Sequence, residues 1–396
     1  MQRLFFLIGI ISGSLTCQAQ TPKTVVVYHY KKLKASEGQM LNGQKTGTWT
    51  TWNSNGEITS ETVYDQDGGR IKHIFYYDPP WIELPRKDLI LPKEAYEAAI
   101  LTQNSGVKTH PRITYYTLNG LKDGLRMTYD ANGNKLTEEG YVRDTLNGMS
   151  FFFSRTTPGL LLKKATYFMG RYNGYFMEKT EDGKYLEEGA YVDGKKHGKW
   201  NSVQNGQHII ANYRYGILNG SYVVFVNEEP VLTLKYIDGK KNGEFTEYSI
   251  KENDRIRFSG TYVNNVKHGM VRHYKNNVLQ ADWVMKNGVR DGLQHYWYRD
   301  SVIKSVSLVR DNKIDSVRTT YYESGKIDTL QWYHKGLLLK TRAFYENSKP
   351  KYQFENYTET EYYPDGKKRR QVVYGEKSSV TTWDEKGRKL KTEERR

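Results

Sequence analysis

Polar and aromatic residues alternate through short segments of this chain, and glycine-containing turns separate the segments at a spacing of about two dozen residues. Three copies show the pattern most clearly. They are Tyr191-Val192-Asp193-Gly194-Lys195-Lys196-His197-Gly198-Lys199-Trp200, Tyr236-Ile237-Asp238-Gly239-Lys240-Lys241-Asn242-Gly243-Glu244-Phe245, and Tyr262-Val263-Asn264-Asn265-Val266-Lys267-His268-Gly269. The second glycine marks the phase and recurs at Gly124, Gly148, Gly174, Gly198, Gly220, Gly243, Gly269 and Gly292. A tyrosine stands seven residues before it at Tyr141, Tyr167, Tyr191, Tyr213, Tyr236 and Tyr262, an agreement that composition alone does not produce.

A second punctuation mark lies inside each unit: Asn55-Gly56, Asn132-Gly133, Asp182-Gly183, Asn205-Gly206, Ser324-Gly325 and Asp365-Gly366. Asn-Gly and Asp-Gly supply the positive φ of a type I′ hairpin turn, so each unit reads as strand, two-residue turn, strand, then a longer link holding the phase glycine. Short links make neighbouring strands antiparallel and the whole a meander. Aromatics recur two residues after the phase glycine (Trp49, Phe176, Trp200, Tyr222, Phe245) and five after it (Trp52, Tyr129, Phe153, Phe225, Tyr248, Tyr274, Trp297). In a regular strand those offsets face opposite ways, so both sheet faces are expected to carry rings.

Composition agrees with this picture. The chain has 396 residues, 33 of them Tyr and 35 Gly but only 10 Pro, and it is 37% hydrophobic. That is too rich in rings for disorder and too poor in aliphatics for the thick core of an α/β enzyme.

On these residues the pattern Tyr-x-[Asp/Asn]-Gly-x-Lys-[His/Asn]-Gly-x-[Trp/Phe] resembles the MORN repeat in its bacterial variant, grouped with YwqK-type antitoxin-like proteins. The resemblance covers the chain from about Leu41 onward, with one interruption. It implies an all-β, elongated, twisted single sheet of β-hairpins, and roles as scaffold, dimerisation module, lipid binder or antitoxin-like protein. Ser316 and Lys340 stand where phase glycines are due, and the last copies depart from the pattern, as capping units do.

Two segments break the rhythm. Residues 1–19 have the layout of a signal peptide: Arg3, an apolar run over Leu4–Leu15, and cleavage expected before Gln20. Cys17, the single cysteine, falls there and would be acylated only in a lipoprotein, for which Ser14 and Thr16 fit poorly. Repeats are expected over 20–68 and 113–396. Between them, 69–112 reads as an insertion with a Pro-rich link (Pro79, Pro80, Pro85) and a short helix over Lys93–Gln103. No segment after the leader is apolar for long enough to span a bilayer.

No enzyme motif is present, and no metal or cofactor is expected. His197 and His268 share one repeat position with Asn242 and Asp291, which argues against ligation. Glu61, Glu138 and Glu188 share another offset and read as a charge row rather than general acids. The function expected is therefore a non-catalytic, secreted or envelope-associated scaffold for a protein partner. Its candidate binding surface is Trp49, Trp52, Tyr129, Trp200, Tyr222, Tyr248, Tyr274 and Trp297. The net charge of +15 keeps an anionic lipid or polysaccharide as the alternative partner, with contacts at Lys367, Lys368, Arg369 and Arg370. The secreted location disfavours nucleic acid.

Overall fold

The computed structural model describes residues 20–29, 33–65, 69–77, 109–251, 254–299 and 301–395. Among them the protein is all-β, with 33 strands, antiparallel pairings and no helix. The leader with Cys17 and the helix expected over 93–103 lie outside the described residues.

The chain divides into two units, one ending at Glu181 and the other beginning at Asp182. Within each, sequence neighbours are sheet neighbours. In the first, Lys23–Tyr28 pairs with Lys34–Leu41, that strand with Gln44–Trp52, and so on to Arg171–Lys179. Arg70–Tyr76 pairs directly with Pro111–Leu118, from Arg70↔Leu118 to Phe75↔Ile113. Both flanks of the expected 69–112 insertion are therefore sheet, and residues 78–108 between them lie outside the described residues. The second unit meanders likewise from Leu186–Val192 to Lys389–Arg395.

Two kinds of hairpin turn occur. At one end of the strands Asn42-Gly43, Met169-Gly170, Asp193-Gly194, Tyr215-Gly216, Asp238-Gly239, Asn264-Asn265 and Asn287-Gly288 have positive φ at both residues, as a type I′ turn requires. The sequence pattern places these dipeptides in links rather than turns. Of the six dipeptides expected to be type I′, only Asn205-Gly206 is positive at both positions. Most of the others belong to three-residue loops. Asn53 N–H donates to Glu57 O at 2.9 Å and Gly56 N–H to Asn53 O at 3.1 Å, with Gly56 at φ 82°. The same two bonds close the loops at Asp130, Tyr322, Tyr363 and Asp384. This is a type I turn followed by a left-handed glycine, so only the glycine needs positive φ.

The phase glycines are also not in links. They sit inside strands, at β-bulges. Leu146 pairs with Tyr141 and Ser150 with Glu139, so four steps on one strand oppose two on the other, with Gly148 at φ 93° in the bulge. The same jump surrounds Gly198 and Gly220. A side chain would strain this backbone, which is why glycine recurs there.

Several of the type I′ turns are tied to the preceding copy. The N–H groups of Gly216, Gly239, Asn265 and Gly288 donate to the carbonyls of Lys196, Leu218, Lys241 and Lys267 at 2.7–3.1 Å. Asn265 returns a second bond, its Oδ1 accepting Lys241 N–H at 2.7 Å. Asp144 with Lys122 and Asn312 with Arg290 repeat this double clamp.

Candidate functional site

The aromatic two residues after the phase glycine is the core of its copy. Trp200 is 1% exposed, and Trp49, Phe176 and Phe245 are also buried. Each ring needs a small neighbour. A Cβ on Gly189 would lie 2.4 Å from the Trp200 ring, and one on Gly38 2.3 Å from Trp49. Ala165 opposes Phe176, and Ala211 opposes Trp200 and Tyr222. The cover comes from the repeat tyrosines and lysines. Tyr191 meets Trp200 edge-on at 4.9 Å, and Lys196 Nζ sits 4.1 Å over the same ring. The indole N–H donates to Ala190 O at 3.1 Å, so no buried donor is wasted. Trp49 and Trp200, expected on a binding surface, are therefore packing residues.

Along the second unit this core position changes character: Trp200, Tyr222, Phe245 and Val271 are followed by Gln294 and Arg318. The first four fill space, and Phe245 and Val271 join Leu234 and Tyr262 in one buried cluster. Gln294 is still buried, at 7% exposure, but Arg318 is only half-buried, and beside it a concavity of about 460 Å³ opens.

Its floor is a row of directly opposed residues on five strands: His273↔Ala281↔Tyr296↔Ser305↔Thr320. Opposed residues share a face. Ala281 and Ser305 are both buried and small, so Tyr296 between them stands clear, 38% exposed. His273 stacks on Phe258 at 4.7 Å, and burial pulls its pKa below the ordinary imidazole value.

The polar walls come from a second, regular bulge. His273 pairs with Ala281 but Tyr274 with Leu279, which leaves Gln280 unpaired. Tyr296 and Trp297 pair with Ser305 and Ile303, leaving Lys304. Thr320 and Tyr321 pair with Thr329 and Ile327, leaving Asp328. All three bulged residues line the concavity. Asp328 accepts hydrogen bonds from Thr320 and Thr329 hydroxyls at 3.1 and 3.2 Å. Burial, and then its hydrogen bond to Asp328, raises the Tyr322 phenol pKa. Lys304 Nζ lies 5.3 Å over the Tyr298 ring, whose hydroxyl donates to Tyr321 O at 2.8 Å. Arg318 is half-buried and makes no hydrogen bond or ion pair among the described residues. Two cations against one carboxylate leave the concavity positive.

Of the expected surface aromatics, Trp297 alone borders this concavity, with its indole N–H on Asp282 Oδ2 at 3.0 Å. Trp52, Tyr129, Tyr222, Tyr248 and Tyr274 are half-buried and lie outside it. Tyr222 packs on the buried cluster, while Arg255 covers Tyr248 at 5.1 Å and Arg257 covers Tyr274 at 3.9 Å. The basic quartet is largely engaged. Lys367 pairs with Asp365, Arg370 with Glu361, and Lys368 lies over Trp383, while Arg369, itself a bulged residue, is exposed. Sequence reasoning missed Gln280, Tyr296, Lys304, Arg318 and Asp328. The available signal was the polar residue at the core position two after Gly292 and Ser316.

Among the described residues no group of three or more His, Cys, Asp or Glu side chains could hold a metal, and no helix is long and apolar enough to cross a membrane. No family model and no curated protein matches the chain. Among solved structures, a chain in the crystal structure of TcdB2-TccC3 is 14% identical, with a TM-score of 0.17 over 92% of this chain and 21% of that one. A chain in the structure of the Photorhabdus luminescens Tc holotoxin pore is 13% identical, with a TM-score of 0.16 over 92% and 20%. This chain spans about a fifth of those chains' length. At such TM-scores the superposition carries no weight for fold or function.

Proposed function

We propose that the protein is a non-catalytic repeat scaffold, secreted or envelope-associated, that docks a protein partner along one end of its strands. The observation that supports this is an asymmetry between the two strand ends in the second unit. Around consecutive type I′ turns, Tyr215, Ile217, Ile237, Val263 and Val266 are each 39–55% exposed. The opposite turns carry Gln204 and Gln207, Val226 and Glu229, and Lys275 and Val278. Exposed apolar residues at successive copies mark interaction surface more than scattered single ones do. The turn-to-strand bonds hold these side chains at fixed spacing, so little freedom is lost on docking. A tyrosine, a two-residue turn and a bulge glycine recurring in most copies support the MORN reading.

The test is a photoreactive residue placed at Ile237 or, as control, at Gln207, in cells that express the full chain. A discrete heterologous adduct at Ile237, absent at Gln207 and lost in Ile217→Ser/Val263→Ser, is the expected result. Adducts of equal yield at both positions, or adducts only with a second copy, would remove the reading.

An acidic polysaccharide is the second reading, and the positive concavity favours it. An anionic lipid surface at Lys367–Arg370 has less support, because three of those four side chains already have partners. An antitoxin-like role rests on the resemblance alone, and a toxin encoded beside this gene would support it.

A further inference from the structure

We propose that the concavity beside Tyr296 binds a carboxylate-bearing sugar unit of an acidic polysaccharide. Arg318 and Lys304 receive the carboxylate, Tyr296 the C–H face of the ring, and Asp328 and Gln280 the hydroxyls. This deepens the polysaccharide reading above and is independent of the protein-partner reading.

The site is built by a local departure from the repeat. Where Trp200 and Phe245 fill the core position of their copies, Arg318 holds it here, next to a floor of small buried residues, Ala281 and Ser305. The resulting space, about 460 Å³, has the size of a small-ligand pocket. A half-buried guanidinium is normally paired, because an unpaired charge in a low-dielectric setting is costly. Arg318 has no such partner among the described residues, which leaves its guanidinium free to receive an external anion. Its planar fork matches a carboxylate with two parallel bonds.

The bulges add the rest. Gln280, Lys304 and Asp328 occupy one bulge position in three successive hairpins, and each is turned out of register into the same space. A bulge re-aims a side chain, and here three of them converge on one ligand volume. An amide and a carboxylate accept hydroxyl protons. The exposed Tyr296 ring offers a negative face to sugar C–H groups. Asp328 would repel a phosphate dianion, so a singly charged carboxylate among hydroxyls fits better. An extended peptide has no free strand edge here, since the strands at the floor are paired on both sides.

The experiment is calorimetric titration of the full chain with tetragalacturonate and with its carboxyl-reduced, neutral counterpart. The expected result is binding of the charged tetramer and about tenfold or weaker binding of the neutral one. Arg318→Gln and Tyr296→Ala should each weaken binding about tenfold, Lys304→Gln less, and Arg369→Gln not at all. Arg318→Lys should recover part of the loss, keeping the charge without the fork. Circular dichroism checks folding, and should Arg318→Gln fail to fold, Tyr296→Ala and Lys304→Gln carry the test. The proposal is overturned if neither tetramer binds, or if both bind alike. It also fails if Arg369→Gln costs as much as Arg318→Gln, or if inorganic phosphate or phosphatidylglycerol vesicles displace the tetramer at equal anion concentration. None of these outcomes alters the crosslinking result expected at Ile237.

Discussion

The copies around Trp200 and Phe245 and those around Gln294 and Arg318 share one backbone plan and differ in what fills it. Both have a turn, a bulge and a small residue on the neighbouring strand. In the first pair a ring lies over the small residue and is sealed by tyrosine and lysine. In the second, Met285 and Val309 stand where the tyrosines would be, polar side chains stand where the rings would be, and beside Arg318 the surface opens. The backbone ladder tolerates the exchange because strand pairing is independent of what covers the sheet. Rings therefore add rigidity copy by copy, and their local loss creates space without breaking the meander.

The largest effect that tests this contrast is alkaline unfolding. Burial holds the phenols of Tyr213, Tyr236 and Tyr262 above the ordinary tyrosine value, and Tyr352, through burial and then Glu359, is pushed up to about 12. In the unfolded chain phenols ionise near pH ~10. Above that pH the unfolded state binds fewer protons than the folded one, so stability is full below it and is lost as pH rises toward about 12. Circular dichroism with tyrosinate absorbance should show the transition in that window, and Tyr213→Phe/Tyr236→Phe/Tyr262→Phe should shift it upward. An unmoved transition would deny the rings their role.

Next comes Trp200→Ala, which should cost about 3–5 kcal/mol in urea denaturation, as large buried rings do. Gln294→Ala should stay within about 1 kcal/mol, because its hydrogen bond from Arg290 is 3.5 Å long. Equal losses would erase the distinction between the copies. Gly189→Ala should cost about 1–3 kcal/mol by overpacking, since the new Cβ meets the Trp200 ring. A neutral result would mean that the ring can move aside. The smallest effect is a gain. Arg318→Phe should restore the filled copy and raise stability by about 0.5–2 kcal/mol while closing the concavity to tetragalacturonate. A destabilised Arg318→Phe would show that the concavity is not a vacated core position.

The strands and their order were legible because turn chemistry is local. Asn205-Gly206 folds as the type I′ turn its two residues prescribe. The roles of the two glycines in one motif were not legible. Gly194 makes the two-residue turn and Gly198 the bulge, yet both are flanked by the same kinds of residue, and only the partner strand distinguishes them. The aromatic offsets were read correctly, but not which would be buried. Trp200 is covered because Gly189 on the adjacent strand leaves room, and that is a property of register.

Sequence by itself determined an antiparallel meander of copied hairpins, because period, turn residues and ring spacing act within a few residues of one another. Tertiary structure decided which rings became core and where space was left. Gln280, Lys304 and Asp328 stand a whole copy apart along the chain and meet only because three bulges fall in line across the sheet. Hydrogen-bond register between strands sets that alignment, and a single residue says nothing about it.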